Sequence, residues 1–122
     1  MNQKNIFSVI SVILILQGLA FFFMKNDIAA DTFPALDDNA HQALAKLVAV
    51  ISGLSILVGL ITYAVRTAPN VAWAYTLGFA VLAAITYKHK FIDGINVPIV
   101  AIVIQVIVLL GCMYLWKGEK SA

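Results

Sequence analysis

Four long apolar stretches, Ile6–Met24, Ala43–Val65, Val71–Tyr87 and Val97–Trp116, occupy about two thirds of this chain and hold one charge between them, Lys46. A bilayer hydrocarbon core about 30 Å thick is crossed by about 20 apolar residues of helix, and each stretch supplies 17 to 23. Within hydrocarbon the backbone satisfies its hydrogen bonds only as helices or as a closed barrel. Continuous apolar runs, as opposed to alternation with period two, select helices. The composition agrees: 62% hydrophobic, 11% charged and a mean hydropathy of +0.96 lie outside the range of water-soluble domains. The expected fold is all-α, a four-transmembrane-helix antiparallel bundle forming a single integral membrane domain over residues 1–122, because the connections are too short to hold a separate soluble domain.

The first stretch follows Lys4 as a signal sequence would, but it is longer than a typical signal core and Asn26 to Ala30 offers no good small-x-small cleavage pattern, so a retained helix is expected. A polar connection is expected from Lys25 to about Asp38, with apolar Phe33, Pro34 and Leu36 resting at the membrane interface. Asn39 with Gln42 three residues on forms a capping-box pattern, and Asp37 and Asp38 suit the positive end of the helix dipole. Arg66 to Asn70 reads as a tight connection stopped by Pro69. The last connection runs through Phe91, Asp93 and Gly94, with Asn96 as cap and Pro98 in the first turn of the final helix. The single cysteine, Cys112, excludes an intramolecular disulfide and with it redox chemistry that needs a cysteine pair. A packing role is the default for such a residue.

Loop charges set the expected orientation. The face carrying the termini has Lys4, Arg66, Lys117 and Lys120; the other has Lys25, Lys88 and Lys90, with Lys46 added if it snorkels outward. The count is nearly balanced. The acidic residues are lopsided, with Asp27, Asp31, Asp37, Asp38 and Asp93 opposite the termini and Glu119 beside them. Both termini are expected to be cytoplasmic, in a bacterial inner (plasma) membrane, with dual insertion left open. Tyr63, Trp73, Tyr75, Tyr114 and Trp116 gather near the terminal face, as an interfacial belt does.

Six residues stand out as candidates for binding. Gln17 and Gln105 are amides inside apolar stretches at depths that differ by about 2 Å on a rise of 1.5 Å per residue. They suit a Gln–Gln clamp between the first and fourth helices, or a polar contact to a ligand. His41, Lys46, His89 and Asp93 share the face opposite the termini, where titratable groups bind metal, relay protons or hold anionic head groups. Their spacing matches no metal motif, and solvated interfacial residues are the simpler reading. Bis-histidine haem ligation by His41 and His89 is the remote alternative, so no cofactor and no metal are expected. Lys46 snorkels outward or pairs with Asp31, Asp38 or Asp93. Small residues at four-residue spacing, Ala49/Gly53, Ser55/Gly59 and Ala80/Ala84, predict close helix packing or a dimer face.

No buried carboxylate occurs in any of the four stretches. In size and helix number the chain resembles the small multidrug-resistance transporters, whose proton coupling depends on a glutamate in the first helix. Leu14, Gln17 and Gly18 stand at that depth here, which ranks such transport low. The loop element Pro34-Ala35-Leu36-Asp37, the histidine His41 opening the second helix, Gly53 and Gly59 in a helix ending at Arg66, and entry to the last helix through Asn96-Val97-Pro98 resemble the DoxX-like group of small four-helix bacterial membrane proteins. That resemblance implies a four-helix bundle, with association with respiratory membrane machinery as one theme. The expected role is a non-enzymatic bundle that packs in the lipid bilayer beside a larger membrane complex or a second copy, without nucleic acid. The alternative is a carrier of a small hydrophobic or amphipathic ligand in an outward cavity near Lys46.

Overall fold

In a computed structural model, which describes residues 2–121, the chain is all helical, with no strand among the described residues. Five α-helices follow one another: α1 Gln3–Phe23, α2 Lys25–Thr32, α3 Asp38–Ala64, α4 Ala72–Tyr87 and α5 Ile99–Ser121, with a π-helical turn Lys88–Ile92 continuing α4. Three of them, α1, α3 and α5, are long and apolar enough to cross a membrane. The α4 helix has 16 residues, which at 1.5 Å each is about 24 Å. The polar connection expected after the first stretch is in fact partly helical, since a single residue, Met24, separates α2 from α1. At the joint Met24 bends the chain (φ −98°, ψ 11°) while its N–H still donates to Ala20 O and its carbonyl accepts from Ile28 N–H.

The contacts divide the chain into two compact units, Val9–Ala64 and the pair of segments Met1–Ser8 with Val65–Ala122. In the first, buried positions on α3 are Ala45, Ser52 and Gly59, seven residues apart, followed by Thr62. A seven-residue repeat keeps one seam of a helix facing its partner. Here the seam is made of small residues, and α1 lies in it with Ser11, Leu14 and Gly18 buried against it. A Cβ added at Gly18 would come within 2.6 Å of both the Ser52 carbonyl oxygen and Ile56 Cγ1; one added at Gly59 would come within 2.7 Å of Ile15 Cγ1 and 3.0 Å of the Ser11 carbonyl oxygen. The contact is reciprocal: each helix presents a glycine to the backbone of the other. Lipid supplies no hydrophobic drive for helix association, so this approach and the hydrogen bonds it permits must hold the pair.

Two buried hydroxyls of α3 bond within their own helix, and a third reaches across to α1. Ser52 donates to Val48 O at 2.8 Å and Thr62 to Val58 O at 2.7 Å, each bonding the preceding turn of its own helix. Ser55 donates across to the Leu14 carbonyl oxygen at 2.8 Å. In the second unit the buried positions Ala101, Val108, Cys112 and Leu115 of α5 again fall at spacings of seven, four and three, and α4 buries Ala72, Thr76 and Phe79. Cys112 is a fully buried packing residue there. Asn70 takes a left-handed conformation (φ 55°) in the connection before α4, and Gly94 (φ 70°) does so before α5.

Candidate functional site

The six candidate residues fall in both units. His41 lies in the first turn of α3, where its Nε2 and the Phe33 carbonyl oxygen are 2.7 Å apart. A carbonyl only accepts, so Nε2 carries the proton and His41 is a donor that closes the 33–41 connection. Asp37 works beside it. Its Oδ1 accepts from Ala40 N–H at 2.8 Å, while its carbonyl accepts from His41 N–H at 3.0 Å. The helix cap is therefore Asp37, two residues before the Asn39 of the capping-box pattern. Both residues are competent caps, and the Asp37 position is the one compatible with a loop drawn in by His41.

Lys46 is exposed on α3, five residues beyond His41, which puts the two about 140° apart around the helix. It has no hydrogen-bond or ion-pair partner within its unit, so the two share no site on α3. In the second unit Asp93 pairs with Lys88 at 2.9 Å, across an exposed edge of the π-helical turn. His89 is exposed on that turn, and its carbonyl accepts from Ile95 N–H at 2.8 Å. Such an exposed ion pair is worth about 0 to 1 kcal/mol. No group of three or more His, Cys, Asp or Glu side chains arranged to hold a metal ion occurs among the described residues. Gln17 and Gln105 are each half-buried, and neither has a hydrogen-bond partner within its own unit.

Gln105 has a defined setting. Two turns into α5, it borders a cavity of about 200 Å³ whose walls include Ala83, Thr86 and Tyr87 of α4, Phe91 of the π-helical turn and Ile102 of α5. The Tyr87 and Phe91 rings lie 4.9 Å apart, centroid to centroid, at 40°. Thr86 donates its hydroxyl proton to Leu82 O at 2.9 Å. The wall is almost wholly apolar and aromatic, and Gln105 is the one residue along it with a side-chain amide.

Two connecting side chains gave no sequence signal. Gln3 Nε2 donates to Ala68 O at 2.6 Å and to Arg66 O at 3.3 Å, closing the turn before α4 from the start of α1. Glu119 Oε1, near the end of α5, accepts from Ala72 N–H at 3.1 Å. That carboxylate meets the free N–H end of α4, where negative charge is favoured. A sequence pattern finds caps placed locally; this one is 47 residues away.

The fold defines a helical membrane protein: most of the large apolar side chains of α3, among them Leu47, Val50, Leu54, Leu57, Leu60 and Ile61, are exposed, a surface that only lipid or another apolar partner covers. No known protein family, curated protein or solved structure matches this chain.

Proposed function

We propose that the protein is a non-enzymatic accessory bundle that packs, through the outer face of α3, against another membrane protein or a second copy of itself. The observation that carries this reading is the second small-residue spacing of α3. Ser55/Gly59 is filled by α1, whereas Gly53 is exposed amid leucines and a Cβ there would meet nothing within 4 Å, so the Ala49/Gly53 spacing, with Ala49 half-buried, is left open at Gly53. Small residues on a lipid-facing helix lower the steric barrier to a further helix without improving contact with lipid. The test replaces Gly53 with Leu in the membrane-embedded protein and follows association by disulfide or chemical crosslinking. Loss of a crosslinked species at unchanged thermal stability supports the reading, and crosslinking indifferent to the change opposes it.

In this reading α4, extended by the π-helical turn, is a fourth crossing, both termini lie in the cytoplasm of a bacterial cell and the DoxX-like resemblance describes the architecture. A ligand-carrying cavity around Lys46, His41 and His89 has less support. Lys46 is exposed and His41 is committed to the Phe33 carbonyl.

A further inference from the structure

The slot between α4 and α5 combines two features that packing alone does not explain. It is a cavity lined by α4, the π-helical turn and α5, and one of its lining residues, Gln105, has an amide to which its unit gives no hydrogen-bond partner. An amide in hydrocarbon without a partner costs on the order of several kcal/mol. We propose that this slot binds a single-ring apolar molecule carrying a hydroxyl or carbonyl group, with the ring between Tyr87, Phe91 and Ile102 and the polar group hydrogen-bonded to Gln105.

Size limits the occupant. An engineered apolar cavity of about 150 Å³ accepts benzene, so about 200 Å³ takes one ring with small substituents. Drug-sized ligands use pockets of about 300 to 1,000 Å³, and a phospholipid head group with its acyl chains is larger than the slot. Polarity limits it further. The Gln105 amide both donates and accepts, so it serves a phenolic hydroxyl or a ring carbonyl equally. The Thr86 hydroxyl proton is committed to Leu82 O, which leaves its oxygen as an acceptor only. A charged group would find no counter-ion among the slot's apolar and neutral walls. Tyr87 and Phe91 are exposed at the rim, so such a molecule enters from the lipid in which it dissolves.

The experiment titrates the full chain in lipid nanodiscs with 4-fluorophenol, and with fluorobenzene as the ring lacking a hydroxyl, by ¹⁹F NMR against empty nanodiscs. Saturable binding of 4-fluorophenol is expected, weakened about tenfold by Gln105→Met, which keeps the side-chain length and removes the amide. Fluorobenzene binding should change less than about twofold, since it makes no such bond. Ala83→Phe, which fills the slot, should abolish both. The proposal is overturned if 4-fluorophenol only partitions as it does into empty nanodiscs, or if Gln105→Met leaves its affinity unchanged. It is equally overturned if Gln105→Met breaks a crosslinked dimer and leaves phenol binding as it was, because the amide then serves a second copy.

Discussion

At Gly18 and Gly59 the approach of two helices depends on the absence of one carbon atom. An alanine at Gly18 must push its Cβ away from the Ser52 carbonyl, a backbone atom that has no rotamer to escape into. Gly18→Ala and Gly59→Ala should each lower stability by about 1 to 3 kcal/mol, the range for overpacking a close-fitted contact. Gly53→Ala, with open space around the added carbon, should lose nothing and gains from the better helix propensity of alanine, by up to about 1 kcal/mol. Thermal unfolding in one detergent compares the three, and equal losses at Gly53 and Gly59 would refute the reciprocal contact. Ser55→Ala removes the hydrogen bond to Leu14 O and should cost about 0.6 to 2 kcal/mol in the same assay. The spacings Ala49/Gly53 and Ser55/Gly59 were both legible in the chain, but which one meets a helix was not. Inside a bilayer the lipid-facing and helix-facing sides are equally apolar, so hydropathy does not separate them.

At the scale of elements, the long helices were legible because length and apolarity leave the backbone no alternative in hydrocarbon, whereas their ends and the connection after α1 were not. Residues 25–32 carry Lys25, Asp27 and Asp31, and this polarity resembles a loop; yet Lys25 lies 4.0 Å from the Phe22 ring centroid and Ala29 is buried, so the segment forms a short helix docked by one face. The start of α3 rests on Asp37 and His41 together. Asp37→Ala should destabilise that end by about 0.5 to 2 kcal/mol, the usual effect of losing a helix cap. His41→Phe removes the donor to the Phe33 carbonyl and should cost about 0.5 to 1.5 kcal/mol. Amide hydrogen exchange locates both effects. Faster exchange confined to residues 33–41 is expected, and faster exchange throughout α3 would mean that the cap governs the helix as a whole. The candidate site was legible in part for a related reason. Sequence marks an amide within an apolar stretch, such as Gln105, by its polarity, but a cavity beside it is a property of how Ala83, Tyr87 and Phe91 come together across separate elements.

At the scale of the molecule, the number of crossings decides which side each end of the chain occupies, and α4 is the element on which that number turns. Three helices are long and apolar enough to cross a membrane. At 16 residues, α4 falls short of a hydrocarbon core of about 30 Å by about 6 Å. The π-helical turn Lys88–Ile92 follows without a break, the N–H of Lys88 still donating to the carbonyls of Ala84 and Ile85. Its exposed Lys88 and His89, and Asp93 just beyond it, suit water and head groups, while Phe91 and Ile92 suit the interface. A bilayer also thins locally around a short span at a cost of fractions of a kcal/mol per Å. These terms are small against the burial of a helix as apolar as Ala72–Tyr87, so α4 should cross. Four crossings place residues 2 and 121 on the same side; three place them on opposite sides. Asn2→Cys, Ser121→Cys and Asp93→Cys, each in a Cys112→Ala background, distinguish these with a membrane-impermeant maleimide. Intact cells should leave residues 2 and 121 unlabelled and label residue 93, and permeabilised cells should label all three. Labelling of only one of residues 2 and 121 in intact cells would leave α4 lying in the interface and the chain with three spans.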